Sequence, residues 1–305
     1  MPAKNPAENP ADVPARRPAE PAPGAASDRT EQLLRLLWQP ATGPDSDAST
    51  SPTSTASTGS TGPSGSTTSA GNPRRTGRTD RKRRAGLTVD DFVDTGIALA
   101  DAHGLAGLTM RAVAGRLGVG AMTLYGYVPG RAEGLALMID RVHGTAYADP
   151  DELAAVAAAD GWQAAAERLV LANWQLLQAH PWLIELPPGR PPIGPGTARK
   201  YEAELAGLAP SGLPPAELDR LLSTLLALVM QAARWEIGLA RDRANTGLDD
   251  AGWWAQVGPV LAELAAGQRF PHAEAVGATM QSAGEPWQTL QFGVAAVCAG
   301  IGPRE

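Results

Sequence analysis

The stretch Leu108–Arg131, LTMRAVAGRLGVGAMTLYGYVPGR, leaves few folds open. Val113 and Leu117 stand at i, i+4, so they share one face of a helix that Thr109 is placed to cap. Gly118 supplies the positive φ that a sharp exit from that helix requires. A second short helix is expected over Gly120–Tyr127, ended before Pro129. Val119 and Leu124 suit packing inward against the first helix, which leaves Ala121, Met122, Thr123, Tyr125 and Tyr127 outward. Two short helices across a glycine turn, the second weakly charged and outward-facing, make a helix-turn-helix, a unit whose second helix enters a DNA groove.

The flanks extend this unit. Thr88 and Asp91 form a capping pair ahead of Val89, Phe92, Val93, Ile97 and Ala100, which keep helical spacing until His103-Gly104. His103 there is a helix-end cation. Residues 85–130 therefore read as a three-helix domain. Charge agrees: residues 74–131 carry ten Lys/Arg against five Asp/Glu, within a chain of net charge −6. A basic segment joined to an acidic body suits a polyanion bound at one place and repelled elsewhere.

The run from Gly107 to Val128, with its Leu-Gly-Val turn, Thr-Leu-Tyr core and following Tyr-Val in register, resembles the DNA-binding signature of the TetR (tetracycline repressor) family of bacterial transcription regulators, in its actinobacterial type with an N-terminal extension. The likeness is strong over about 88–143 and extends in outline over 85–305. It implies an all-α fold: an N-terminal three-helix helix-turn-helix domain, then a helical ligand-binding and dimerisation domain over 131–305. Matched position by position, it places contacts to double-stranded DNA on Arg111, Ala121, Met122, Thr123, Tyr125, Tyr127 and Arg131. It also implies that helix 131–147 transmits ligand binding to the DNA domain by tilting, and that a homodimer reads an inverted-repeat operator. Gly120 and Ala121 depart from the polar residues common at this helix start, and Gly126 weakens the helix, which shifts readout toward DNA shape or a basic arm. Tyr125 is open to two readings, a side chain facing outward as a whole or a ring packed inside with only the hydroxyl reaching out.

Ahead of this unit, residues 1–84 read as a disordered low-complexity tail, because Pro/Ala-rich 1–26 and Ser/Thr/Gly/Pro-rich 41–73 bury too little apolar surface to offset ordering. Two segments interrupt it. The amphipathic stretch 28–39 is capped at Asp28, carries five large apolar residues and stops at Pro40; it is either a docking segment or a transient helix. The basic arm 74–84, with seven Lys/Arg and one Asp, is either a DNA contact or a solvated charge run.

Beyond the DNA domain the sequence reads as helices broken at glycine and proline: Trp162–Ala179, Ala198–Leu208, Ala216–Arg243, Asp249–Ala265 and Pro286–Ile301, with Pro187–Gly196 as a loop. Helix 216–243 is apolar nearly all round and needs burial on more than one side. With 286–301 it suits a four-helix seam between two copies. Seven of the eight tryptophans follow residue 160, which suits either a core or a pocket for a small, largely apolar or aromatic ligand. The pocket reading selects Trp174, His180, Met230, Trp235 and Trp254 as lining, with Asn173 and Gln231 as polar contacts.

No catalytic residue, metal site or cofactor is expected. The four histidines are scattered, Cys298 stands alone, and neither a phosphate-binding glycine loop nor His-Glu-x-x-His nor Cys-x-x-Cys occurs. No apolar run is long enough for a membrane and no signal region precedes the tail, so the expected location is the cytoplasm. The expected function is a sequence-specific transcriptional regulator, a repressor by family default, released from its operator by a small effector. A helical sensor or scaffold without specific DNA binding is the alternative.

Overall fold

Glycine and proline fix where the helices begin and end in the computed structural model, which describes residues 23–39, 86–280, 282 and 284–301. The basic arm 74–84 and most of the tail lie outside the described residues. The first helix, α1 (Pro23–Leu37), is followed after a long interval by α2 (Val89–Gly107), α3 (Met110–Leu117) and α4 (Ala121–Leu124). Then come α5 (Arg131–His143), α6 (Glu152–Asp160), α7 (Trp162–Ala179), a 3₁₀ turn at Pro181–Glu185, and α8 (Pro195–Leu208). The long α9 (Pro215–Thr246) precedes α10 (Asp250–Leu264), α11 (Pro271–Thr279) and α12 (Pro286–Ala299). All regular structure among the described residues is helical.

The first domain forms for the reasons legible in its sequence. Thr88 and Asp91 close a reciprocal capping box at the start of α2. Thr109 Oγ1 accepts the Ala112 amide at 3.1 Å at the start of α3. Gly118 ends α3 in the left-handed region, φ 73° and ψ 29°. Two boundaries differ from expectation. α2 continues past His103-Gly104 to Gly107, with Gly104 at φ 65° absorbing a kink. The Leu105 amide beyond the kink donates to the Glu185 carboxylate at 3.1 Å, and that external acceptor sustains the extra turn. The expected helix 120–127 is helical only over α4; residues 125–127 continue as tight turns, where the Gly126 amide reaches Thr123 O and that of Tyr127 reaches Leu124 O.

α5 joins the two halves of the molecule because it is buried on two sides. On one side Gly134 and Met138 face α2, where a Cβ at Gly134 would press into the Phe92 ring. On the other side the end of α5 meets the start of α8. The residue preceding α8, Gly194, has no side chain to cap it, and Asp140 of α5 does so instead. Its carboxylate accepts the Thr197 amide at 2.8 Å and the Gly196 amide at 3.1 Å. A Cβ on Gly194 would overlap that carboxylate, and one on Gly196 would overlap the Asp140 carbonyl oxygen, so both positions require glycine.

α7, α8 and α9 surround the rest of the core through Leu169, Val170, Leu208, Leu222, Leu225 and Val229, with α12 laid on α9 through Leu290, Val294 and Cys298. Cys298 is buried, and burial pushes its thiol pKa up. α10 and α11, by contrast, have no buried residue. No helix among the described residues is long and apolar enough to cross a membrane.

Candidate functional site

The helix-turn-helix surface is built on two anchors. Leu124 of α4 and Val128 after it are fully buried, so the residues between and before them are turned outward. Met122 is 81% exposed, Tyr125 46% and Tyr127 37%; Thr123 and Arg111 are also exposed, and Ala121 is half-buried. Five of the expected contact residues are thus exposed to solvent, and Ala121 is half-buried. Tyr125 resolves to the outward reading. Arg131 differs: its Nε donates to Leu108 O and its Nη2 to Leu105 O, both at 2.9 Å. It ties the start of α5 to the end of α2, whose terminal carbonyls attract a cation, while the residue itself remains exposed.

A cavity of about 650 Å³ lies between α5, α7, α8, α9 and the segment after the 3₁₀ turn. Its walls are Leu135 and Ile139 of α5, Leu176 and Leu177 of α7, and Leu226, Val229 and Met230 of α9, with a strap of Leu186–Pro192 along one side. Polar groups are few: His143, Asn173, Lys200, Arg190 and Arg234. An apolar hollow with a handful of converging polar groups is the common form of a small-molecule site.

Behind the cavity wall lies a buried polar cluster. Glu204, 1% exposed, accepts from Lys200 Nζ at 2.6 Å, Asn173 Nδ2 at 2.7 Å and the Tyr147 hydroxyl at 3.0 Å. Three donors on one carboxylate offset the cost of its burial. Burial and the Glu204 charge push the Tyr147 pKa far up, so it remains a donor. His143 contacts Thr197 Oγ1 at 3.1 Å. Burial, then the Lys200 charge, lowers its pKa to about 4 against the opposing pull of Asp140. His143 is therefore neutral at pH 7 and offers the cavity one donor or one acceptor.

Of the residues expected to line a pocket, Asn173 and Met230 stand in the wall of this cavity; the other five lie outside it. Trp174 stacks at a tilt on Trp287 of α12, ring centroids 5.3 Å apart. His180 Nδ1 lies 2.8 Å from Asp101 of α2, whose carboxylate also accepts the Trp182 indole N–H at 2.8 Å. Gln231 faces solvent. Trp235 covers the backbone of Gly284, and Trp254 meets Trp253 edge to face on exposed α10, 4.8 Å apart. Trp174, Gln231 and Trp235 stand on faces of α7 and α9 that do not line the cavity, His180 lies past the end of α7, and Trp254 belongs to α10, which contributes no residue to the cavity. The residues missed, His143, Lys200 and the proline strap, carry little signal in sequence, although Lys200 and Glu204 do stand at i, i+4. Among the described residues no group of three His, Cys, Asp or Glu could hold a metal ion.

A helix-turn-helix domain joined through one shared helix to a hollow helical body defines a one-component helical DNA-binding regulator. Comparison with known proteins agrees. Residues 157–302 match the tetracyclin repressor-like C-terminal domain family. The HTH-type transcriptional repressor DrrR1 of Streptomyces coeruleorubidus is 38% identical over 194 residues, 64% of this chain and 70% of that protein. An HTH-type transcriptional regulator of Saccharopolyspora erythraea is 30% identical over 132 residues; the match spans 43% of this chain and 53% of that regulator. Among solved structures, the transcriptional regulator SCO7222, a TetR from Streptomyces coelicolor, superposes with a TM-score of 0.50 at 26% identity, covering 71% of this chain and 98% of that one. The fold is shared also with Streptomyces coelicolor ActR in complex with actinorhodin, TM-score 0.57 at 24% identity over 71% of this chain and 97% of that one. The chain belongs to the TetR family and is a DNA-binding transcriptional regulator; the family comprises regulators, not enzymes.

Proposed function

We propose that this chain is a homodimeric cytoplasmic repressor, released from an inverted-repeat operator when a largely apolar or aromatic molecule enters the cavity bounded by α5, α7, α8 and α9. One observation carries the reading. Leu135, Ile139 and His143 of α5 form a cavity wall, while Gly134 and Met138 of the same helix press on α2 of the DNA domain. A ligand that favours a different setting of α5 must alter the setting of α2, and with it the spacing of two recognition helices.

In this reading residues 85–130 are the DNA-binding domain and 131–305 the ligand-binding and dimerisation domain. Arg111, Met122, Thr123, Tyr125 and Tyr127 meet DNA, with Ala121 close enough for a thymine methyl. Arg131 positions α5. Asn173, Met230, His143 and Lys200 meet the ligand. Dimerisation is supported by the outer face of α12, where Phe292 is 78% exposed beside Ala295, Ala296 and Ala299, and by the exposed apolar side chains of α10.

The test is fluorescence anisotropy of the full chain on DNA flanking its own gene and on a shuffled duplex, across a salt series. A preference of roughly a thousandfold or more supports specific regulation. Equal, steeply salt-dependent affinity for both duplexes would instead show phosphate binding alone.

A further inference from the structure

α1 is not a loose appendage. Leu33, Leu36 and Leu37 stand at i, i+3, i+4 on one face of it and pack on the core, Leu37 being only 5% exposed. Leu36 and Leu37 share a cleft with Val93 of α2 and Leu137 of α5. Just past the helix end, the Trp38 indole N–H donates to the Ile193 carbonyl at 2.9 Å, beside the strap that lines the cavity. The opposite face is solvated: Leu34 is 38% exposed, and the Glu31–Arg35 pair lies in water. One segment therefore lies against α2 and the connecting helix and is bonded to the residue that follows the strap.

Chain connectivity does not impose this contact, since 46 residues separate Gln39 from Gly86 in sequence. Nor does intrinsic helicity, because an isolated helix of 15 residues is marginal in water. The packing of its leucine face orders it, in the manner of an amphipathic helix laid in a groove. The fit is incomplete, since a cavity of about 430 Å³ remains between α1 and the body. Such a segment is poised to open locally while the body stays folded.

We propose that the cleft between α2, α5 and the start of α8 is a docking site whose occupant is the chain's own segment 23–38, and that docking latches the strap and α2 onto α5. The sensing role of the latch rests on the ligand-responsive reading above. Docking and latching do not, and both are measured without DNA or ligand.

In the full-length chain, Leu37→Asp combined with Trp38→Ala places a carboxylate against Val93 and Leu137 and removes the bond to Ile193. Leu34→Asp, on the solvated face, is the control. Trypsin cleavage after Arg35 and hydrogen exchange are followed for native, double-variant and control chains. The double variant should be cut roughly tenfold faster, and the hydrogen-bonded amides of Leu186, Gly196 and Thr197 should exchange roughly tenfold faster, while the control matches the native chain and α7 exchange is unchanged in all three. Native and double-variant chains cut at the same rate would overturn docking. Faster cleavage with unchanged exchange over 186–197 would overturn the latch and leave α1 a passenger.

Discussion

Asp140 is the residue through which two helices share one helix end. It closes the N-terminus of α8 from α5, and Gly194 and Gly196 are the clearance it needs. Gly196→Ala should therefore destabilise the fold by about 2 kcal/mol, since a methyl group has to displace backbone rather than a flexible side chain; urea unfolding measures it. Leu124→Ala, at a fully buried anchor of the recognition helix, should cost about 3 kcal/mol by the same measurement. His143 makes a pH prediction. Its pKa is about 4 in the fold against 6.5 for the ordinary side chain, so the unfolded chain binds more protons between those values. Its contribution is fully present above pH 6.5 and is lost as pH falls toward 4. His143→Gln should lessen the stability lost between pH 7 and pH 4 by on the order of 3 kcal/mol, read from urea midpoints at the two pH values. If the two chains lose stability in parallel, the imidazole is not held neutral.

At the level of elements, α5 carries the coupling because its faces are divided between the cavity and the DNA domain. Arg131 fastens its first turn to the two carbonyls at the end of α2, and Arg141 on its last turn pairs with Asp90 and Asp94 at the start of α2. Arg131→Ala should lower stability by about 1 kcal/mol without any DNA present, and Arg131→Lys should recover little, since one ammonium lacks the planar fork that spans two carbonyls. Thermal melts of the three chains decide it. A loss confined to DNA affinity would return Arg131 to the phosphate role. How much of this was readable beforehand depends on the signal each element carries. α3, α7 and α9 announce themselves through apolar spacing and glycine or proline stops. α6, ELAAVAAAD, is marked by alanine, the strongest helix former, yet it is apolar on nearly every side, so its buried face, Leu153 and Ala157, does not stand out; α11, PHAEAVGAT, buries no residue and has no apolar stripe to mark it. The cavity was misread in part because tryptophan abundance says nothing about which face of a helix looks inward. Lys200 and Glu204 look like a surface i, i+4 pair; only the packing of α7 and α8 around them makes them buried.

For the whole molecule, the outward face of α12 and the unburied α10 and α11 leave large apolar side chains in water, among them Phe292, Leu264, Val276 and Val260, the kind of surface that marks an interaction site when it is contiguous. Phe292→Glu should weaken self-association by at least roughly a hundredfold while leaving each chain folded, because it places a charge at the proposed seam. Sedimentation velocity across a concentration series measures the shift, and an unchanged dimer would move the seam elsewhere. The position of Cys298 has a practical use in the same setting. It is the chain's single thiol, it lies beneath α9, and its raised pKa keeps it protonated, so sulfhydryl reagents will pass it by in the native protein. A spin label on Ala98→Cys, exposed on α2 and outside the proposed DNA contacts, would then be the one label per subunit without any cysteine having to be removed. The separation of the two labels across a dimer becomes a ruler for the distance between DNA-binding domains, expected to hold one value on DNA, where half-sites lie about 34 Å or a multiple of it apart, and to shift as the cavity fills.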